Sequence, residues 1–576
     1  MKMNKKLLGS LILGVMLCTP LMGARAADLT DGAIYGNGDK YGEYRTEDNG
    51  SFTYNFHGDS QLVVDNDSAN NDGIFIRGPS STVSGITIKN QLDINVRKEG
   101  KGAALTGITI YNGGTTQERI IDRSAGGNIT VESKNGKSSF DIVLDGASIA
   151  SSKDSQIWLG NSNIEVRAVD AESGVYMHGL YIADDAGNGG TGNEIHMGKG
   201  TIDIIGNVAA EQSNETQGIG MMVLDANTIE TGDVSVNVNM TGNQNTESMS
   251  NCGIEAYWGG TVITGNGDIT IHGKGEKDVS SNGISAVGEE GIRGTVTKTG
   301  GHIEVVAEGK GTLQAYGVRA IGGIMNITGS TDVTARTIGG QNAYSMGLYG
   351  ASDGTISYAG GTITASADNE DAYVAAVHAQ DTADIDINKD TNNTVVITGD
   401  VNNSGTGAIY LNLNTEDSVL NGGVSDQYGT FNLEDGAQWN VLGTSTVNHF
   451  HMKNGIINMA TDDDVNIESY SGSGTISFLA ENAAVDGVAN FGNVGNVTIE
   501  NAKEGASVTL GIANDKIDTL DLEKTEESLN ALAKKYFTMR MMESLPGKRS
   551  SGKASLRRRP AVSCCLMPMT RAMWPM

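Results

Sequence analysis

Three short strand-like segments that return together, always in the same order, constrain this chain more than any other feature. Around Gly253 they read Gly253-Ile254-Glu255-Ala256, Gly260-Thr261-Val262-Ile263 and Gly267-Asp268-Ile269-Thr270-Ile271, and the set restarts at Gly283, Gly294 and Gly301. The first segment recurs at Gly179, Gly218, Gly253, Gly283, Gly317 and Gly347, at spacings of 39, 35, 30, 34 and 30 residues. The second recurs at Asn227, Gly260, Gly294, Gly323 and Gly354, and the third at Gly200, Gly232, Gly267, Gly301 and Gly361. Fixed periods in this range signal a repeat architecture.

The period inside each unit selects which repeat. Ile202-Asp203-Ile204, Ile269-Thr270-Ile271 and Ile303-Glu304-Val305 alternate apolar and polar residues, so one side of each segment is buried and the other wet. No unit carries a helical period, and glycine and asparagine punctuate every segment at turns that favour positive φ. Three strands per unit, each stacked on its counterpart in the next, make an all-β fold of the single-stranded parallel β-helix type. A unit of 30 to 35 residues exceeds three strands and tight corners, so at least one corner per rung is expected to project as a loop. An antiparallel sandwich or propeller fits less well, because propeller blades need roughly 40–50 residues and hairpins need two-residue turn signals between mirrored strands.

Residues 1–26 read as a secretory signal: Lys2, Lys5 and Lys6, an apolar run from Leu7 to Leu17, then a small-x-small cleavage site at Ala24-Arg25-Ala26. The apolar run is too short to span a membrane. Residues 27–70, dotted with Tyr35, Tyr41, Tyr44, Tyr54 and Phe56, are expected to cap the first rung, since an uncovered coil end is an unpaired edge. Gly73-Ile74-Phe75-Ile76 and Gly107-Ile108-Thr109-Ile110 extend the pattern backward, so rungs are expected from about residue 71 to 428, and the coil on to about 510 as one body. Pro79 is the single proline between residues 27 and 540, as strand ladders require. Cys252 is the single cysteine in that span and reads as a buried hydrophobe. Net charge is −29 although the leader and the last 36 residues are basic. So acidic a body stays soluble and argues against a nucleic-acid partner.

Near the end the pattern changes. Phe431-Asn432-Leu433-Glu434-Asp435-Gly436-Ala437-Gln438-Trp439-Asn440-Val441 leads into Ser445-Thr446-Val447, Gly455-Ile456-Ile457 and Ser471-Gly472-Ser473-Gly474-Thr475-Ile476. A leucine strand, a Gly-Ala-x-Trp turn (Gly436, Ala437, Trp439), a Ser-Thr-Val strand and a Ser-Gly-Ser-Gly-Thr strand (Gly472, Gly474) resemble the C-terminal passenger region of pertactin-like type V autotransporters. The close resemblance covers about residues 429–480. It implies a right-handed β-helix displayed at the cell surface or released from a Gram-negative-type bacterium, with a passenger core at residues 429–515 that folds first. Such passengers leave through a C-terminal outer-membrane β-barrel. Here a helix over Thr525–Tyr536, with Leu529, Leu532, Ala533 and Tyr536 on one face, lies in a linker over 516–538. From residue 539 a basic tail rich in Pro, Cys and Met follows, with Arg557-Arg558-Arg559 and Cys564-Cys565. It reads as a disordered, out-of-frame segment rather than a functional basic arm, which would leave a truncated passenger, periplasmic without its translocator.

The sequence carries no recognisable catalytic set, cofactor motif or metal site. No Gly-Asp-Ser-Gly motif occurs, and Gly472-Ser473-Gly474 reads as a strand entry. The acidic clusters Asp462-Asp463-Asp464, Asp184-Asp185 and Glu289-Glu290 sit beside turns and read as solvated loops rather than the paired carboxylates of a polysaccharide-cleaving β-helix. His449 and His451 share a strand face with Asp462 nearby, too few ligands for a metal. Tyr257-Trp258 is the aromatic pair at a rung corner, where an exposed contact could offer a surface for binding carbohydrate. The expectation is a non-enzymatic, adhesin-type binder of protein or glycan ligands on host or neighbouring cells; a secreted polysaccharide lyase or hydrolase is the alternative.

Overall fold

The computed structural model describes residues 44–48, 51–55, 60–65, 70–77, 84–101, 104–111, 118–138, 141–150, 152–183, 191–209, 214–289, 291–459, 461–479, 482–485, 488–490, 494–513, 522–542 and 562–564. They form two compact units, residues 1–346 with 366–373, and residues 347–365 with 374–576.

The first unit is a parallel β-helix with three strands per rung. Each strand pairs in parallel with the strand one rung on: Val175–Ala183 with Asn214–Leu224 on the first face, Glu194–Met197 with Thr228–Thr231 on the second, and Gly200–Val208 with Val234–Gly242 on the third. Interior positions stack like on like. Ile129, Ile164, Ile202, Val236, Ile269 and Ile303 are successive partners on the third face, all essentially inaccessible. Each such side chain contributes about 1.5–3 kcal/mol by leaving water. The ladder begins inside the segment expected to be a cap: Ser51–Asn55 and Ser60–Asp65 already pair in parallel with the second and third faces, while Tyr44–Asp48 folds antiparallel onto Ser51–Asn55. Ala24 and Ala26 lie outside the described residues.

On the first face, glycines 73, 107, 146, 179, 220, 253 and 283 occupy one column. A Cβ on Gly146 would lie 2.6 Å from the Gly179 carbonyl oxygen and 2.3 Å from Ile164 Cγ2. The backbone here is pressed onto the isoleucine ladder, which leaves room for hydrogen alone. Two of the expected positions belong to other columns. Gly218 pairs with Met177, so the column passes through Gly220; on the third face Gly200 pairs with Val234, not Gly232. Both slips are of two residues, which preserves the inward side and so leaves the apolar alternation unchanged.

The projecting corner lies between the third and first faces, and it is made of strand rather than loop. Val234–Gly242 and Thr246–Tyr257 run on past the coil and turn at Asn243, whose carbonyl accepts the Thr246 N–H at 3.1 Å. Gly242, Gly273 and Gly309 let Met249, Val279 and Leu313 close the flap from the other side, all three buried.

Two cations sit where the alternation promises apolar residues. Arg123, fully buried, donates to Leu92 O at 2.6 and 3.2 Å and to Ser162 Oγ at 2.8 Å; burial lowers its pKa to about 10, with Asp93 opposing. Lys298 donates to the carbonyls of Gly265 and Gly267, and burial lowers its pKa to about 8 against the pull of Asp268 and Asp233. Between pH 8 and about 10.4 the unfolded chain therefore binds more protons at this lysine than the folded one, so stability rises with pH across that window. Wild-type chain is expected to gain up to about 3 kcal/mol from pH 7.5 to 10 relative to Lys298→Met. Urea melts of both proteins at stepped pH measure the difference, and parallel curves would remove this lysine from the account.

In the second unit the rungs shorten. Leu420 faces Trp439, Trp439 faces Ile457 and Ile457 faces Ile476, steps of 19, 18 and 19 residues. Ser445–Met459 is a 15-residue strand that serves all three faces in turn, and Val465–Leu479 does the same one rung on. Phe431, Phe450 and Tyr470 are successive partners with ring centroids 5.2 and 6.1 Å apart, and Trp439 packs beside them at 5.2 and 6.0 Å. The helix runs Leu522–Tyr536, three residues longer than expected, with Leu529 and Leu532 buried. Phe537–Met541 then pairs in parallel with Val497–Ala502, and Val562–Cys564 with Val508–Leu510, so the segment expected to lack strands contributes two of them.

Candidate functional site

Strand alternation turns every second residue of the second face outward, and stacking sets those residues one above another. Trp158 and His196 are partners in adjacent rungs, their rings parallel within 10° at a centroid distance of 3.9 Å. Glu194 lies 2.9 Å from His196 Nε2 and Glu230 lies 3.4 Å from Nδ1, so the imidazole is held from both edges. The Trp158 indole N–H donates to Gln156 Oε1 at 3.1 Å, and the Gln156 amide donates to Glu194 at 3.1 Å. Trp158 nevertheless stays 37% exposed, and Ile263, one rung beyond Glu230, is 41% exposed. The result is an outer ladder of aromatic, carboxylate and aliphatic groups held in order by stacking and polar contacts.

The outer side of the first face is different. The glycine column lets residues on either side of it meet: His178 and Tyr181 flank Gly179, and their rings stack at 4.5 Å. Asp145 lies 2.9 Å from His178 Nδ1. Further along lie Cys252, Glu255, Tyr257 and, at its partly exposed end, Arg319. Burial raises the Glu255 carboxyl, against the opposing charge of Arg319. Burial, with Glu255 nearby, also raises the Cys252 thiol and the Tyr257 phenol well above their ordinary ranges. A thiol held protonated is a poor nucleophile, and Cys252 and Tyr257 pack in one buried cluster with Tyr181, Met222 and Val287.

Tyr257 thus lies buried, 8% exposed, while its neighbour Trp258 is partly buried against the same cluster. Trp258 has φ +43, uncommon for a bulky residue, as the chain turns into Gly259. His449 and His451 do share an outer strand face on either side of buried Phe450, but His451 meets Ser471 at 2.9 Å and Asp462 does not join them. Asp463 accepts from Thr461, and Asp464 from Asn496, as turn-forming groups. Asp184, Asp185 and Glu290 lie outside the described residues. Among the described residues no three His, Cys, Asp or Glu groups gather to hold a metal, and no helix is long and apolar enough to cross a membrane.

Gly436 (φ +91) makes a turn, Gly472 (φ +88) bends the strand Val465–Leu479 from within, Ala437 and Trp439 are fully buried, and a Cβ on Gly474 would lie 2.4 Å from Met452 Cγ. These residues shape the short rungs. The Trp158–His196 pair could have been found from Gln156-Ile157-Trp158 and Glu194-Ile195-His196, two outward-inward-outward triplets 38 residues apart. No protein family, characterised protein or solved structure matches the chain.

Proposed function

We propose that this chain is an exported binding protein of the adhesin type, built like an autotransporter passenger and acting at the cell surface or after release. The observation that carries the reading is the Trp158–His196–Glu230–Ile263 ladder on a parallel sheet, with Trp158 and Ile263 exposed. Aromatic anchors on a rigid surface are what a partner buries most profitably. The short rungs that carry the passenger-like block support the same reading, and the acidic composition turns nucleic acid away. Partners are protein or glycan ligands on host or neighbouring cells.

Expression of the full chain in a Gram-negative host tests both halves. N-terminal sequencing is expected to find Ala27 first, after cleavage behind Ala26; a cytoplasmic product that keeps Met1 sinks export. Labelled protein is expected to bind cultured epithelial cells saturably, and the double variant Trp158→Ala with Ile263→Ser to bind about tenfold more weakly. Binding that the double variant leaves unchanged removes this ladder from recognition.

A further inference from the structure

A second surface, in the second unit, carries a ligand chemistry of its own. At the corner where first-face strands hand over to the second face lies an open groove of about 740 Å³, lined by Asp381, Thr382, Ser404, Thr406, Gln427 and Tyr428 among others. That volume falls in the roughly 300–1,000 Å³ that ligand pockets occupy. Its turns are held from below by buried Asp426. One carboxylate oxygen accepts the N–H groups of Tyr428 and Gly429, both at 3.0 Å, and the Asn403 amide at 2.9 Å; the other accepts Ile409 N–H at 3.3 Å. Asn403 also donates to Gly407 O at 2.7 Å and accepts Gly405 N–H at 3.0 Å, and Asp381 O accepts Gly407 N–H at 3.1 Å. The side chains of Asp426 and Asn403, bonded to the surrounding backbone, thus fix the groove before any ligand arrives.

On this rigid base Tyr428 is 50% exposed, the most exposed aromatic ring among the described residues. Its backbone is anchored while its ring is offered to solvent. Around it stand an exposed carboxylate (Asp381), an exposed amide (Gln427) and the exposed hydroxyls of Ser404 and Thr406. An apolar ring face ringed by hydroxyl, amide and carboxylate groups suits a ligand with a C–H face and a rim of hydroxyls. No lysine, arginine or histidine lines the groove, so an anionic ligand would meet no counter-charge and would face Asp381.

We propose that this groove binds uncharged sugar, one or two pyranose residues of a neutral glycan, with Tyr428 as the stacking platform and Asp381 and Gln427 as hydroxyl partners. It deepens the surface-binding reading by naming a ligand class and rests on that reading only for its biological setting. Purified full-length chain is titrated with lactose, cellobiose and N,N′-diacetylchitobiose, with 3′-sialyllactose as the anionic comparison, by saturation-transfer NMR. At least one neutral disaccharide is expected to bind with Kd on the order of 1 mM. Tyr428→Ala is expected to weaken it about tenfold, Tyr428→Phe to retain it, and Asp381→Asn to weaken it without loss of the ring contact. Circular dichroism melts check that each variant folds, and Gln427→Ala stands in should Tyr428→Ala not. The proposal is overturned if no neutral sugar binds, if folded Tyr428→Ala or Gln427→Ala binds as wild type does, or if sialyllactose binds more tightly. Because no cells are involved, failure here leaves the export and cell-binding results standing.

Discussion

Trp439→Ala is expected to cost the second unit about 4 kcal/mol. The indole is fully buried, and its N–H donates to Gly422 O at 2.9 Å. It packs on Phe431 and Phe450 where rungs of 18 and 19 residues leave no slack in the backbone to fill a void. Truncation removes the ring contacts, opens a cavity the size of an indole and orphans a buried carbonyl, and each of these destabilises separately. In a stack where every rung seals its neighbours, the damage spreads to the flanking rungs. Urea unfolding followed by far-UV circular dichroism measures the loss, and limited proteolysis with mass mapping shows whether cleavage appears first around residues 420–480. A loss below about 1 kcal/mol would mean that the ring stack is not what holds these short rungs.

Gly253→Ala should cost about 3 kcal/mol, the reverse of what strand preference predicts. In an ordinary strand alanine is favoured over glycine by roughly 0.5–1 kcal/mol. Here the added Cβ would lie 2.5 Å from the Gly283 carbonyl oxygen and 2.5 Å from Ile269 Cγ2. Neither neighbour yields cheaply: one is backbone tied into the next rung, the other a methyl in the isoleucine ladder. Overpacking of this kind costs about 1–3 kcal/mol, more when backbone must move. Gly505→Ala separates clash from conformation, since Gly505 has φ +83 with nothing within 4 Å of an added Cβ. It should cost only the left-handed strain, about 1–2 kcal/mol. Equal losses in the two variants, measured by the same urea melts, would show that close approach plays no part in the glycine column.

Much of the fold was legible because a parallel β-helix writes each rung into the chain afresh. Ile202, Ile269 and Ile303 announce their shared ladder by alternation and spacing alone, and Leu529 and Leu532 announce the buried helix face. Exposure was far less legible. Tyr257 and Tyr428 both sit at rung corners beside polar residues, yet one is packed against Cys252 and Glu255 while the other stands free above Asp426. The difference lies in the rungs above and below, 20 to 40 residues away in sequence.

What the sequence determined by itself was the kind of object: strands of period two, broken by glycine and repeated too closely for blades, close into a coil of three faces. What the tertiary structure decided was register and surface. A slip of two residues, from Gly218 to Gly220 or from Gly232 to Val234, keeps every apolar side chain on the inside, so the pattern of apolar and polar residues is blind to it. Only contact between rungs distinguishes the two. There a backbone pressed to within a hydrogen's width of the isoleucine ladder admits glycine at one position, and the same stacking decides which aromatic rings are sealed in and which are left to meet a ligand.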